Sequence, residues 1–77
     1  MNKHLKKLMT NFSEEFSPKK VIMLEERMAW FTDKELSEGV AQIIKHEDVF
    51  PTVGVLVAYF EQSKARNFKY SEIKTNG

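Results

Sequence analysis

The sequence contains no cysteine, only two prolines and three glycines, and no long apolar run among its 77 residues. Without cysteine it has no disulfide framework, thiolate nucleophile or Cys-based metal site, which suits a cytoplasmic setting. Its longest apolar run, residues 53–60, is far below the ~20 residues that cross a bilayer. The basic start is not followed by the uninterrupted apolar stretch of a signal peptide. We therefore expect a soluble cytoplasmic protein that does not contact membranes.

Size and charge further limit the classes of function that the protein can have. With 42% hydrophobic and 30% charged residues, the chain suits one compact domain. A chain this short buries only about 60% of its unfolded surface, so we expect a thin core without cofactor-sized pockets and stability helped by a partner or by self-association. The formal net charge is +1. Any nucleic-acid binding would therefore depend on a local basic patch rather than on the electrostatic field of the whole protein.

Two amphipathic segments open the chain. Leu5, Leu8 and Phe12 recur at the spacing of one helical face, which predicts a first helix over residues 3–16. Ser17 followed by Pro18 is typical of an N-cap with proline at the first helical position. A second helix is therefore predicted over residues 18–31, with an apolar arc broad enough for contact on two sides.

A capping box predicts the third helix. Thr32 and Glu35 have the spacing at which each side chain satisfies a backbone N–H of the other residue. The helix is predicted over residues 33–46. Gly39 lies inside it at a cost of roughly 1 kcal/mol relative to alanine, which suggests that a neighbouring helix crosses closely there.

The stretch "DVFPTVGVLVAYFEQ", residues 48–62, is compatible with a strand or a helix. A strand would be apolar on both faces and would lack a partner strand elsewhere in the chain. A helix can begin at Pro51 or Thr52, and the good helix formers that follow would continue it. We therefore predict a fourth helix over residues 52–66. Together the helices would form a compact all-α bundle in one domain, residues 1–66, followed by a frayed, flexible tail over residues 67–77.

Residues that could support catalysis are few. His4 and His46 belong to different predicted helices and have too few neighbouring ligands for a zinc site. Adjacent carboxylates on a helix point about 100° apart and indicate solvated faces rather than an acid–base dyad. The serines lack a nucleophile elbow, and the glycines form no phosphate-binding loop. We predict no catalytic residue, no metal site, no cofactor and no enzymatic activity.

Basic and apolar residues suggest binding instead. Single-stranded nucleic acid could bind basic residues that lie near aromatic ones, although solvated helix ends would produce the same pattern. These candidates are Lys3, Lys6, Lys7, Lys64, Arg66 and Lys69. The apolar residues exceed what four short stripes can hide, so they either crowd the core or form an interface. The candidates for partner binding are Met23, Trp30, Tyr59 and Phe68.

The order of features resembles a known family. Four features follow one another: a helix that ends in Trp30, the cap "TDKE", a helix containing "GVAQIIKH" and the helix start "FPTVGVLVAYFE". This order resembles the small all-helical domain of phage-type replicative helicase loader/inhibitor proteins. The resemblance covers roughly residues 5–62 and depends on Trp30, Ala41, Pro51 and Thr52. Members of that family look to have a longer, flexible C-terminal part that contacts the helicase, which this sequence does not show.

The resemblance implies an α-helical adaptor without catalysis of its own. We expect a small phage or mobile-element protein that modulates DNA replication by binding a replicative helicase, its loader or another replication protein. The alternatives are a single-stranded nucleic-acid-binding accessory protein and a self-associating helical protein that forms a homo-oligomer.

Overall fold

The computed structural model describes the backbone of residues 1–76 and the side chains of residues 1–68. Over these residues the chain forms four helices and no strand, as predicted. The helices are α1 (Lys3–Asn11), α2 (Pro18–Met28), α3 (Asp33–His46) and α4 (Val53–Asn76). In the described part of the chain, no helix has the length and apolar character needed to span a membrane.

Helix α1 ends at Asn11, five residues before its predicted end. Ser13 adopts a left-handed backbone with φ of 53°. The Glu14 N–H donates to the Met9 carbonyl at 2.8 Å and the Ser13 N–H to that of Thr10 at 3.2 Å, which is the pair of bonds in a Schellman motif. Glycine normally occupies the left-handed position of this motif. A serine at this position does not indicate a helix end, so the sequence pattern placed the end too late.

Helices α2 and α3 begin where the capping signals predicted. The Ser17 hydroxyl accepts a hydrogen bond from the Lys20 N–H, and Pro18 occupies the first helical position. Both halves of the Thr32–Glu35 capping box are formed. Helix α2 ends at Met28 rather than at residue 31, because the chain turns there to bring Thr32 into the extended cap conformation.

Residues 48–62 are helical, not extended, from Val53 onward. The Leu56 N–H donates to the Thr52 carbonyl at 2.8 Å, and the Val55 N–H donates to the Thr52 hydroxyl at 3.4 Å. Helix α4 continues to Asn76, ten residues past its predicted end at residue 66. The predicted flexibility of residues 67–77 stays a prediction, and Gly77 lies outside the described residues.

Helices α3 and α4 form the centre of the bundle. The two helices run antiparallel, with the Phe60 ring against Gly39, so the close crossing predicted at this glycine is confirmed. Helix α1 packs mainly on α3, and α2 packs on α4. The core consists of Phe31, from the turn between α2 and α3, and of one apolar stripe from each helix: Leu5, Leu8, Leu24, Met28, Leu36, Val40, Ile43, Leu56 and Phe60.

Candidate protein-binding surface

Trp30 is the most exposed large apolar side chain among residues 1–68, with 79% of its surface accessible. It lies in the turn between α2 and α3, next to Phe31, which is only 8% exposed. Phe31 takes the core position and packs at 5.5 Å between ring centroids against Phe60. The tight turn therefore directs one aromatic residue inward and its neighbour into solvent.

Phe68 is also exposed, at 71%. Its position follows from the register of α4 on α3, because the Ser63 hydroxyl donates to Glu38 Oε2 at 3.1 Å. Five residues further along α4 correspond to five residues back along α3, so Phe68 lies level with Asp33 at the start of that helix. One turn before Phe68, Lys64 Nζ lies 6.0 Å from the centre of the Phe31 ring.

Trp30 and Phe68 consequently lie at the same end of the bundle. We call this end, with the side chains of Trp30, Phe68 and Lys64, the Trp30–Phe68 surface. Tryptophan and phenylalanine are enriched in protein interfaces, and a lysine beside them can pair with an acidic partner. Two of the four residues that the sequence suggested for partner binding lie at this end of the bundle.

Met23 and Tyr59 do not belong to this surface. Both are half-buried and pack against the core. The Tyr59 hydroxyl donates a hydrogen bond to Glu47 Oε2 at 2.7 Å, just beyond the far end of α3. This bond to a carboxylate raises the pKa of the Tyr59 phenol. Their contacts account for both side chains within the fold, and their role in partner binding stays a prediction.

Other apolar side chains are exposed at separate places. Ile22 on α2 and Val55 on α4 are 56% and 42% exposed, as the surplus of apolar residues suggested. Val49, in the loop before Pro51, is 71% exposed and was not among the sequence candidates. Helical spacing carries no information about a loop residue, so the periodicity of the sequence did not indicate the exposure of Val49.

The basic candidates are divided between two helices. Lys3, Lys6 and Lys7 lie on α1, whereas Lys64 and Arg66 lie on α4, and all five are exposed. The side chain of Lys69 lies outside the described residues. The α1 lysines line an open groove of about 440 Å³ together with Thr10, Asn11 and Ile44.

A buried histidine joins α1 to α3. His4 is 9% exposed, and its Nε2 lies 2.7 Å from Asp33 Oδ1. Lys3 Nζ lies 3.3 Å from the same oxygen. The hydrogen bond from His4, followed by that from Lys3, holds the pKa of Asp33 below its usual value. No local pattern indicates this contact in the sequence, because its partners are 29 residues apart.

His46 forms a local contact only. Its Nε2 lies 3.2 Å from Gln42 Oε1, one turn earlier on α3. Among the side chains that the structure describes, no three His, Asp or Glu residues gather in an arrangement that could hold a metal ion.

No protein-family model matches this chain, and no curated protein and no solved structure matches it either.

Proposed function

We propose that this protein is a small phage or mobile-element adaptor that modulates DNA replication by binding another protein through the Trp30–Phe68 surface. The partner in this proposal is a replicative helicase, its loader or another replication protein. The observation that carries the binding part is the exposure of Trp30, at 79%, at the end of the bundle where Phe68 is 71% exposed. The replication part depends on the sequence resemblance described above.

The energetics of interfaces support this choice of residues. Single exposed apolar residues are ordinary on protein surfaces, but here two large aromatic side chains are exposed at one end of a small domain. Tryptophan is among the residues whose truncation most often weakens a complex by 2 kcal/mol or more, in general surveys of interfaces. Neither side chain belongs to the buried core.

Binding to purified replication proteins tests the proposal directly. The protein has one tryptophan, so its fluorescence reports on Trp30 alone. Titration with a purified replicative helicase or its loader should shift the emission to shorter wavelength as the indole leaves water. In a label-based assay, Trp30→Ala with Phe68→Ala should weaken the same binding at least tenfold, as expected for roughly 1.4 kcal/mol or more.

Val49→Ala is the matched control, because Val49 is as exposed as Phe68 and lies in a loop away from the surface. It should bind like the unmodified protein. If a replication protein binds but the double variant binds equally well, the surface is wrong. If another protein binds through Trp30 and no replication protein does, the adaptor role stands and the replication role fails. A stable dimer that dissociates when Trp30 is replaced would favour self-association.

A further inference from the structure

A second candidate surface lies between α1 and α3 and shares no residue with the Trp30–Phe68 surface. One stripe along α1 consists of residues at i, i+3, i+4 and i+7, which are Lys3, Lys6, Lys7 and Thr10. Together with Asn11 and with Ile44 of α3, they line the open groove of about 440 Å³. We call this the lysine groove.

The charges of the lysine groove are incompletely balanced. Lys3 is paired with Asp33 at 3.3 Å. Lys6 and Lys7 are exposed, and neither forms an ion pair with any described side chain of residues 1–68. Two ammonium groups are therefore available to a ligand, on flexible stems that can follow its carboxylates or phosphates.

The groove also offers an apolar contact. Ile44 is half-buried and packs against the core from α3, which leaves part of its side chain facing the groove. The methylene stems of the lysines can extend this apolar strip while their ammonium groups stay in water. A ligand that fits must combine negative charges with at least one apolar group between or beside them.

We propose that the lysine groove binds an acidic amphipathic helix of a partner protein. Lys7 lies about 6 Å along α1 from Lys3, whose exposed ammonium has three N–H donors and can contact a second carboxylate beside Asp33. Carboxylates at i and i+4 of a docked helix have the same spacing, and an apolar side chain on the same face would meet Ile44. Helices commonly dock in grooves through such anchors at intervals of three or four residues.

A protein segment fits the groove better than single-stranded nucleic acid does. Binding of single strands without sequence preference combines a basic track with aromatic side chains on which the bases stack. None of the residues lining the groove is aromatic. The apolar residue at its floor is a branched aliphatic one, which suits a leucine or a valine of a partner rather than a base.

A designed peptide tests this proposal with the full-length chain. The probe is a fluorescein-labelled helical peptide of about 14 residues, four turns long, with glutamates at i and i+4 and leucines along the adjoining stripe. Fluorescence anisotropy at low salt should show saturable binding. Lys6→Gln with Lys7→Gln should weaken it about fivefold, as expected for the loss of two exposed ion pairs.

The matched control is Lys19→Gln with Arg27→Gln, which removes the same charge from exposed positions on α2. It should leave peptide affinity unchanged. A peptide whose leucines are replaced by serine should bind more weakly, and equal binding would remove the apolar part of the proposal.

Two results would overturn the proposal. The first is equal weakening of peptide binding by the Lys6 and Lys7 variant and by the matched control variant, which would show a general charge effect. The second is tighter binding of an oligo-dT strand with the same number of charges, lost in the Lys6 and Lys7 variant, which would identify a nucleic-acid site. Circular dichroism would confirm that each variant keeps its helix content.

Discussion

The ring of Phe60 fills the space where a side chain at Gly39 would lie. A Cβ added at Gly39 would be 2.7 Å from Phe60 Cε1, closer than real Cβ atoms approach other atoms. The contact joins the middle of α3 to the first half of α4, and both residues are buried. This glycine therefore sets the distance between the two central helices.

Gly39→Ala should destabilise the protein despite the better helix propensity of alanine. Overpacking costs about 1–3 kcal/mol, and the gain in propensity offsets only about 1 kcal/mol of it. Chemical unfolding in urea, monitored by circular dichroism, would measure the change. Replacing Phe60 by leucine in the same chain should recover part of the loss if the ring is the obstacle.

Gly54→Ala is the control for this prediction. Gly54 is also helical, but a Cβ there would meet nothing within 4 Å. We expect this variant to be more stable than the unmodified protein by about 0.4–1 kcal/mol. Equal effects of the two substitutions would contradict the proposed role of the Gly39–Phe60 contact.

Ser13→Gly should stabilise the end of α1. Ser13 has φ of 53°, where a residue with a Cβ is disfavoured by about 1–2 kcal/mol. Glycine removes this strain, and its greater freedom in the unfolded chain returns part of the gain, which leaves a net stabilisation of up to about 1 kcal/mol. For a domain of this size, each kcal/mol of added stability raises the melting temperature by roughly 4–8 °C.

A glycine placed inside a helix should have the opposite effect. Ser37 is exposed within α3, so Ser37→Gly should lower stability by several tenths of a kcal/mol. If Ser13→Gly also lowered the melting temperature, the left-handed conformation of Ser13 would not be a source of strain.

Asp33→Asn should make the stability of the protein less dependent on pH in the acid range. The contacts with His4 and Lys3 lower the pKa of Asp33 in the folded state below its usual value of 3.8. Stabilisation by the charged carboxylate is therefore present above about pH 3.8 and is lost as the pH falls through the lower, folded-state pKa. The variant should be less stable near neutral pH, with the difference narrowing in acid.

Urea unfolding at a series of pH values would measure this difference. Asp48→Asn is the control, because Asp48 is exposed in the loop after α3 and forms no ion pair among the described side chains. A constant difference between Asp33→Asn and the unmodified protein down to the acid limit would contradict a contribution from the ionised carboxylate.

The sequence predicted most of the fold because its local signals agreed with its long-range packing. The capping box at Thr32 and Glu35 marked the start of α3, and the valines after Pro51 lay on a helix because no second strand existed to pair with them. The apolar stripe of the first helix identified Leu5 and Leu8 as core residues, and Phe12 packs partly buried against the core. The end of α1 was placed too late because a serine, not a glycine, adopts the left-handed turn.

Only two of the four residues predicted for partner binding lie on the candidate surface. Trp30 and Tyr59 looked alike in the sequence, as apolar residues beyond the four stripes. Tyr59 is partly buried because Glu47 accepts its hydroxyl and the core packs against its ring, and both contacts depend on how α4 lies on α3. Trp30 points outward because α2 ends early and Phe31 takes the core position. Neither outcome is determined by helical spacing.

The neighbouring residues Trp30 and Phe31 should respond oppositely to truncation. Trp30→Ala should change the free energy of unfolding by less than about 0.5 kcal/mol, because surface substitutions away from special contacts have small effects. Phe31→Ala should cost about 3–5 kcal/mol, since it empties a core position against Phe60. Urea unfolding followed by circular dichroism would measure both, because one variant lacks the fluorescent indole.

Phe31→Leu provides a milder core variant in case Phe31→Ala does not fold, and it should still be less stable than Trp30→Ala. A large loss of stability in Trp30→Ala would show that the indole supports the fold. In that case its exposure could not be attributed to binding. A neutral result, together with loss of partner binding in the same variant, would separate the two roles and assign Trp30 to the interface.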